Sequence, residues 1–139
     1  MATYNKHNQF TRDLIAGIYN FDSHVFKVML TNTAPTAANS IKANLTEITA
    51  GNGYTAGGTA TTITPSTASG VAKATGTDVV FTATAAVGPF RYADLYNDTP
   101  TAPADPLIAW WDYGSSVTLA NGETFTVDFD ATNGILTVT

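Results

Sequence analysis

Between Thr124 and Asp130 the chain alternates strictly, with Phe125, Val127 and Phe129 apolar and Thr124, Thr126, Asp128 and Asp130 polar. A period of two is the pattern of a β-strand with one buried and one wet face. Asn121-Gly122 before it and Asn133-Gly134 after it accept positive φ readily. Val117–Ala120, Thr124–Asp130 and Ile135–Thr139 are therefore expected to form an antiparallel meander. Upstream, His24–Thr31 sets Phe26, Val28 and Leu30 against Val25, Lys27 and Met29, a strand apolar on nearly both faces and so expected inside a sheet. Further extended runs are read at Asn44–Thr49, Ala60–Thr64, Gly70–Thr75, Asp78–Ala85, Phe90–Tyr96 and from Leu107 to Gly114.

One stretch departs from this period. From Asn8 to Phe21 the apolar residues Phe10, Leu14, Ile15, Ile18 and Phe21 recur every three or four positions, which predicts a short amphipathic helix with Asn8 as its cap. Gly17 inside it costs about 1 kcal/mol relative to alanine, so the helix depends on docking, either over one end of its own core or on a partner. The segments from Thr31 to Ser40 and from Asn97 to Pro106 are rich in Pro, Asn and Thr and read as loops. The expected fold is a single antiparallel β-sandwich, all-β and jelly-roll-like, with one short N-terminal helix. Residues 1–22 form an arm and helix, and residues 23–139 form the sandwich domain. Its expected core is Phe26, Val28, Leu30, Phe81, Phe90, Leu95, Phe125, Val127 and Phe129.

Composition narrows the functional classes. The chain has 139 residues, long enough for one real core, and no cysteine, which excludes disulfides and thiolate metal sites. Charged residues make up only 12%, with a net charge of −5. All six Lys and Arg lie at or before Arg91, whereas Asp94, Asp98, Asp105, Asp112, Glu123, Asp128 and Asp130 follow without a base. Such a distribution disfavours a nucleic-acid groove. No apolar run approaches the roughly 20 residues of a membrane span, and the first residues lack the apolar stretch of a signal peptide. A product made in the cytoplasm and not exported by that route is expected.

Candidate chemistry is sparse. Gly51-Asn-Gly-Tyr-Thr-Ala fits the loose dinucleotide fingerprint, but Gly57-Gly58 and a Thr-rich run follow it where that mechanism needs a helix. Asp128, Asp130, Thr132 and Asn133 bring oxygen ligands together, yet Gly134 and the chain end fall out of register for a helical calcium loop. His7 and His24 have no His, Cys or Glu at ligand spacing, and Ser23 beside His24 would face the opposite side of a strand. No catalytic, cofactor-binding or metal residue is assigned, no cofactor is expected, and the reading is a non-enzyme. Trp110-Trp111 is the remaining signal. On one regular strand the two rings face opposite ways, so one enters the sandwich and the other lies outside near Ile108 and Tyr92. There it is either an exposed adhesive patch or covered by the helix or a loop.

Four segments carry a resemblance: Leu30-Thr-Asn-Thr-Ala-Pro-Thr, Ala50-Gly-Asn-Gly-Tyr-Thr-Ala-Gly-Gly, Gly88-Pro-Phe-Arg-Tyr-Ala-Asp-Leu-Tyr-Asn-Asp-Thr and Leu119-Ala-Asn-Gly-Glu-Thr-Phe-Thr-Val-Asp-Phe. Together they resemble small virion structural proteins of tailed bacteriophages over nearly the whole chain. The resemblance implies a particle component, foremost a capsid decoration (cement) protein on the outer surface of the virion. A tail- or fibre-associated protein is the alternative. The expected partners are the lattice of the major capsid protein and further copies of the chain, as a dimer or trimer, with no nucleic acid and no membrane. Phe10, Leu14 and Ile18 of the helix, with Trp110 and Trp111, are the expected partner-binding residues.

Overall fold

The computed structural model describes residues 2–139. In chain order the elements are β1 (Thr3–Lys6), α1 (Asn8–Ile15), β2 (Phe26–Thr31), β3 (Thr59–Thr61), β4 (Ile63–Ala68), β5 (Val71–Gly76), β6 (Val79–Thr82), β7 (Val87–Asn97), β8 (Leu107–Leu119), β9 (Thr124–Val127) and β10 (Leu136–Val138). Every pairing between these strands is antiparallel. The fold is all-β, a sandwich in which a five-stranded sheet, β1-β8-β7-β2-β3, faces the β6-β9 ribbon and the β10-β5-β4 sheet.

Alternation decides which side chains lie between the layers. Leu30, Ala93 and Trp111 are register neighbours across three strands, as are Val28, Leu95 and Ala109, so both rows share one face of the large sheet. Val79 and Phe81 of β6, with Val127, Phe129, Ile135, Ile63 and Ala74, meet that face in one continuous buried cluster. All nine expected core residues belong to it, Phe125 as a half-buried member at its margin. Burying a side chain of this size stabilises the fold by about 1.5–3 kcal/mol each.

The helix is shorter than its periodicity predicts. It stops at Ile15 because Gly17 takes φ +77°, and the N–H groups of Gly17 and Ile18 turn back onto the carbonyls of Leu14 and Asp13. Its cap position is His7, not Asn8 as expected, and among the described residues no side chain caps its start. Beyond the stop Tyr19 and Phe21 leave the helical path, and a row of rings runs Phe10–Tyr19–Phe21–Phe26 with centroids 5.0, 6.0 and 5.1 Å apart.

Three further expectations are corrected. The C-terminal meander does not form: the end of β8 pairs with β7, β9 with β6, and β10 with β5. Alternation requires only that Phe125, Val127 and Phe129 face the core, and the opposite layer satisfies that demand as well as the adjacent strand would. Asn44–Thr49, expected as a strand, follows a 3₁₀ turn at Lys42–Asn44 and makes a lone bridge from Glu47 to Thr31. Strand β1 has no alternating signal and was expected within an arm, yet it pairs with β8 along Lys6–Thr3 opposite Ala109–Asp112.

The other face of the large sheet is closed by the long segment between β2 and β3. Ser40 and Ala37 carbonyls accept the N–H groups of Leu107 and Asn8, and Leu45 packs on Met29, Tyr96 and Leu107. The Gly-rich stretch ties this cover down. Tyr54 Oη donates to Glu47 at 2.7 Å and Tyr96 Oη donates to the Gly57 carbonyl at 2.6 Å. At Gly58 a Cβ would lie 1.9 Å from the Val28 carbonyl oxygen, so only glycine permits this approach.

Candidate functional site

On the side where β9 leaves the ribbon, the two layers stand apart around a recess of about 480 Å³. Trp111, Tyr113 and Phe125 form much of its wall, with Arg91, Thr126, Asp128, Asp130 and Ala2 around them. A second hollow of about 370 Å³ continues it past Trp111, Asp128 and Asp130 to Tyr4 and Phe129. Register places Trp111 here, because it continues the inward row of Leu30 and Ala93 toward the sheet margin, where Tyr4 of β1 ends it. Tyr4 and Phe129 meet its ring edge-to-face at 5.7 and 5.4 Å. Tyr113 meets Phe125 at 5.4 Å, and Phe125 meets the buried Phe90 at 4.9 Å. The aromatic wall is thus braced from behind by the core.

The recess is electrostatically one-sided. Arg91 holds Asp112 in a two-point pair, Nε to Oδ1 at 2.7 Å and Nη2 to Oδ2 at 2.9 Å, while Gly114 N–H donates to the same carboxylate at 2.7 Å. The Arg91 hydrogen bonds, foremost, hold the Asp112 carboxyl below its usual range. Arg91 is thereby neutralised. Asp130 is also held low, by the backbone N–H of Asn133 and then by its side-chain amide and the Thr132 N–H. Those bonds fold Asp130 into the turn that the sequence suggested as a calcium loop. Asp128, exposed, and Asp130 leave the rim negative.

A free backbone edge borders this recess at Thr126. The Ala83 N–H donates to the Glu123 carbonyl, which makes Phe81–Phe125 and Val79–Val127 the hydrogen-bonded pairs of the β6–β9 ladder. The N–H and C=O groups of Thr124 and Thr126 therefore point away from β6. Among the described residues β9 has no second strand neighbour.

Across the large sheet lies a contrasting group. His7 Nε2 is 2.9 Å from Asp94 Oδ2, and both side chains are 0% exposed. Burial pushes the Asp94 carboxyl up to about 6, against the lowering effect of the His7 contact. The Trp110 ring lies on His7 with centroids 4.6 Å apart. Among the described residues His7 Nδ1 and Asp94 Oδ1 have no further hydrogen-bond partner. Sealed in this way, the pair fastens the junction of β1 and α1 to β7 and has no route to a substrate.

The residues expected to bind partners divide accordingly. Phe10 is buried in the chain's own core, and Leu14 and Ile18 pack against that core half-buried, so the helix docks on its own sandwich. Trp110 is half-buried on His7 and Ile108 is fully buried, so no exposed aromatic patch forms on the outer face. Only Trp111 reaches the recess. Sequence reasoning missed Tyr113, Arg91, Asp128 and Tyr4, whose meeting depends on strand pairing that no local signal encodes. The Gly51–Ala56 fingerprint is a tight turn, with Gly51 and Tyr54 exchanging backbone hydrogen bonds at 2.7 and 2.9 Å. No helix among the described residues is long and apolar enough to cross a membrane. Comparison with protein-family models, curated proteins and solved structures finds no match to the chain.

Proposed function

We propose that the protein is a structural component of a tailed-phage particle that binds the outer surface of the capsid shell in many copies and stabilises it, as a decoration (cement) protein. The observation that supports an adhesive role is the recess around Trp111: a braced aromatic wall and a free strand edge side by side on a rigid sandwich. Surfaces of this kind, apolar and rimmed by polar groups, mark association. The buried His7–Asp94 pair is closed to solvent, and Asp112 and Asp130 are committed to local hydrogen bonds, so the same groups offer little to a substrate. Adhesion at the recess replaces the helix as the attachment surface, because Phe10, Leu14 and Ile18 are occupied by the chain's own core.

A shell of repeated sites needs only modest affinity per copy, since contacts on a lattice sum through multivalency. The negative C-terminal third favours the outside of the shell over contact with packaged nucleic acid. The test is co-sedimentation of the purified chain with undecorated capsid shells and, separately, with isolated tails. Saturable binding to shells, weakened by Trp111→Ser with the β-type circular dichroism retained, is expected. Binding to tails alone would transfer the protein to the tail or fibre, and binding to neither would overturn the reading.

A further inference from the structure

We infer that the recess accepts an extended strand from a partner protein, paired to the free edge of β9 and carrying a lysine or arginine into the space between Trp111, Tyr113 and Asp128. This identifies the partner chemistry of the adhesive site proposed above and rests on that reading of the recess.

The backbone supplies the first argument. Thr124 and Thr126 direct their N–H and C=O groups away from β6, in the spacing that one more strand requires. Strand β4, an edge of the β10-β5-β4 sheet, is blunted differently, for it carries Pro65, which lacks a donor. Strand β9 has neither proline nor lysine. An added strand alternates its side chains, and those on the same face as Phe125 and Val127 point into the recess toward Trp111. About 480 Å³ holds one or two large side chains, not a folded element.

Charge selects the occupant. With Arg91 neutralised by Asp112, and Asp130 bound into its own turn with Lys73 nearby, the rim presents Asp128 next to aromatic rings, a setting that attracts a cation both by Coulomb force and through the ring faces. The same charges oppose a second copy added through its own β9. Such a copy would bring the Glu123 and Asp128 that flank its strand, and no lysine or arginine, to the same rim. Acidic glycans and nucleic acid meet the same repulsion.

The test uses the full chain, isotopically labelled, and two capped eight-residue probes of alternating Thr and Val, one with a central Lys and the other with Glu in its place. Amide shifts at Thr124 and Thr126 on adding the Lys probe are expected, with binding about ten-fold or more weaker for the Glu probe and weaker at high salt. Thr126→Pro should abolish binding while retaining the β-spectrum, because its N–H is not part of the β6 ladder. Asp128→Lys should reverse the preference between probes, which keeps the test decisive if the proline variant fails to fold. Equal binding of both probes, or no shift at Thr124 and Thr126 at millimolar Lys probe, would overturn the inference. Shifts there that grow with protein concentration alone would give the site to a second copy and overturn it too. Capsid shells still bound by Asp128→Lys and Thr126→Pro would leave the decoration role standing and remove the strand site; probe binding without capsid binding would do the reverse.

Discussion

Trp110 and Trp111 are adjacent in the chain and lie in different environments. Trp110 faces the sealed side of the large sheet, where its ring covers His7 and the buried pair with Asp94. Trp111 faces the gap between the layers, where its ring is braced by Tyr4 and Phe129 and lines an open recess. The difference does not arise from either residue. It arises from what covers each face: the segment between β2 and β3 closes one, while β9, paired among the described residues to β6 alone, leaves the other open. In the first environment a polar pair depends on the hydrogen bond between its members, and a binding surface requires the second.

The largest expected effect tests the seal. His7→Ala leaves Asp94 buried beside a void and should cost about 3–5 kcal/mol of stability, read from the urea midpoint. A loss below about 1 kcal/mol would mean that water reaches the pair and that the two faces differ less than their burial indicates.

Next comes pH. Because burial raises the Asp94 carboxyl from its ordinary value of 3.8 to about 6, the folded protein holds a proton there that the unfolded chain releases. Asp94 should therefore make stability fall as pH rises from about 4 to about 6, by up to about 3 kcal/mol. Asp112 and Asp130, held low, act in the opposite direction and lose their contribution as pH falls. The difference between the parent and Asp94→Asn isolates the buried group. It should decline across that window and be flat above it; a flat difference throughout would contradict the seal.

Phe125→Ala probes the open side. As a half-buried wall residue it should cost about 1–3 kcal/mol, less than the roughly 3–5 kcal/mol expected for the fully buried Phe90→Ala. Equal losses in chemical denaturation would show that the recess wall belongs to the core proper. The smallest stability effect belongs to Asp128→Asn, exposed on the rim, which should leave the unfolding midpoint within about 0.5 kcal/mol of the parent. A large loss there would mean that the rim acids support the fold and are not free for a ligand.

What the sequence determined by itself was which side of each strand is wet. The alternation of Phe26, Val28 and Leu30, and of Phe125, Val127 and Phe129, placed those residues toward a core, and the turn formers between runs marked an all-β chain. It also marked Trp110-Trp111 as a pair that must divide between two faces. Periodicity is a local property and carries no record of the neighbouring strand, so the pairing of β9 with β6 and of β10 with β5 was not legible. Nor was the stop at Gly17, where a glycine inside a helical pattern and a glycine ending it look alike until the backbone turns to positive φ. The partnership of His7 with Asp94, 87 residues apart, and the gathering of Arg91, Trp111, Tyr113 and Asp128 around one recess were decided by tertiary structure alone. Long-range pairing is chosen by the packing of whole layers, in which burying every apolar face at once outweighs the preference of any single strand for its nearest neighbour.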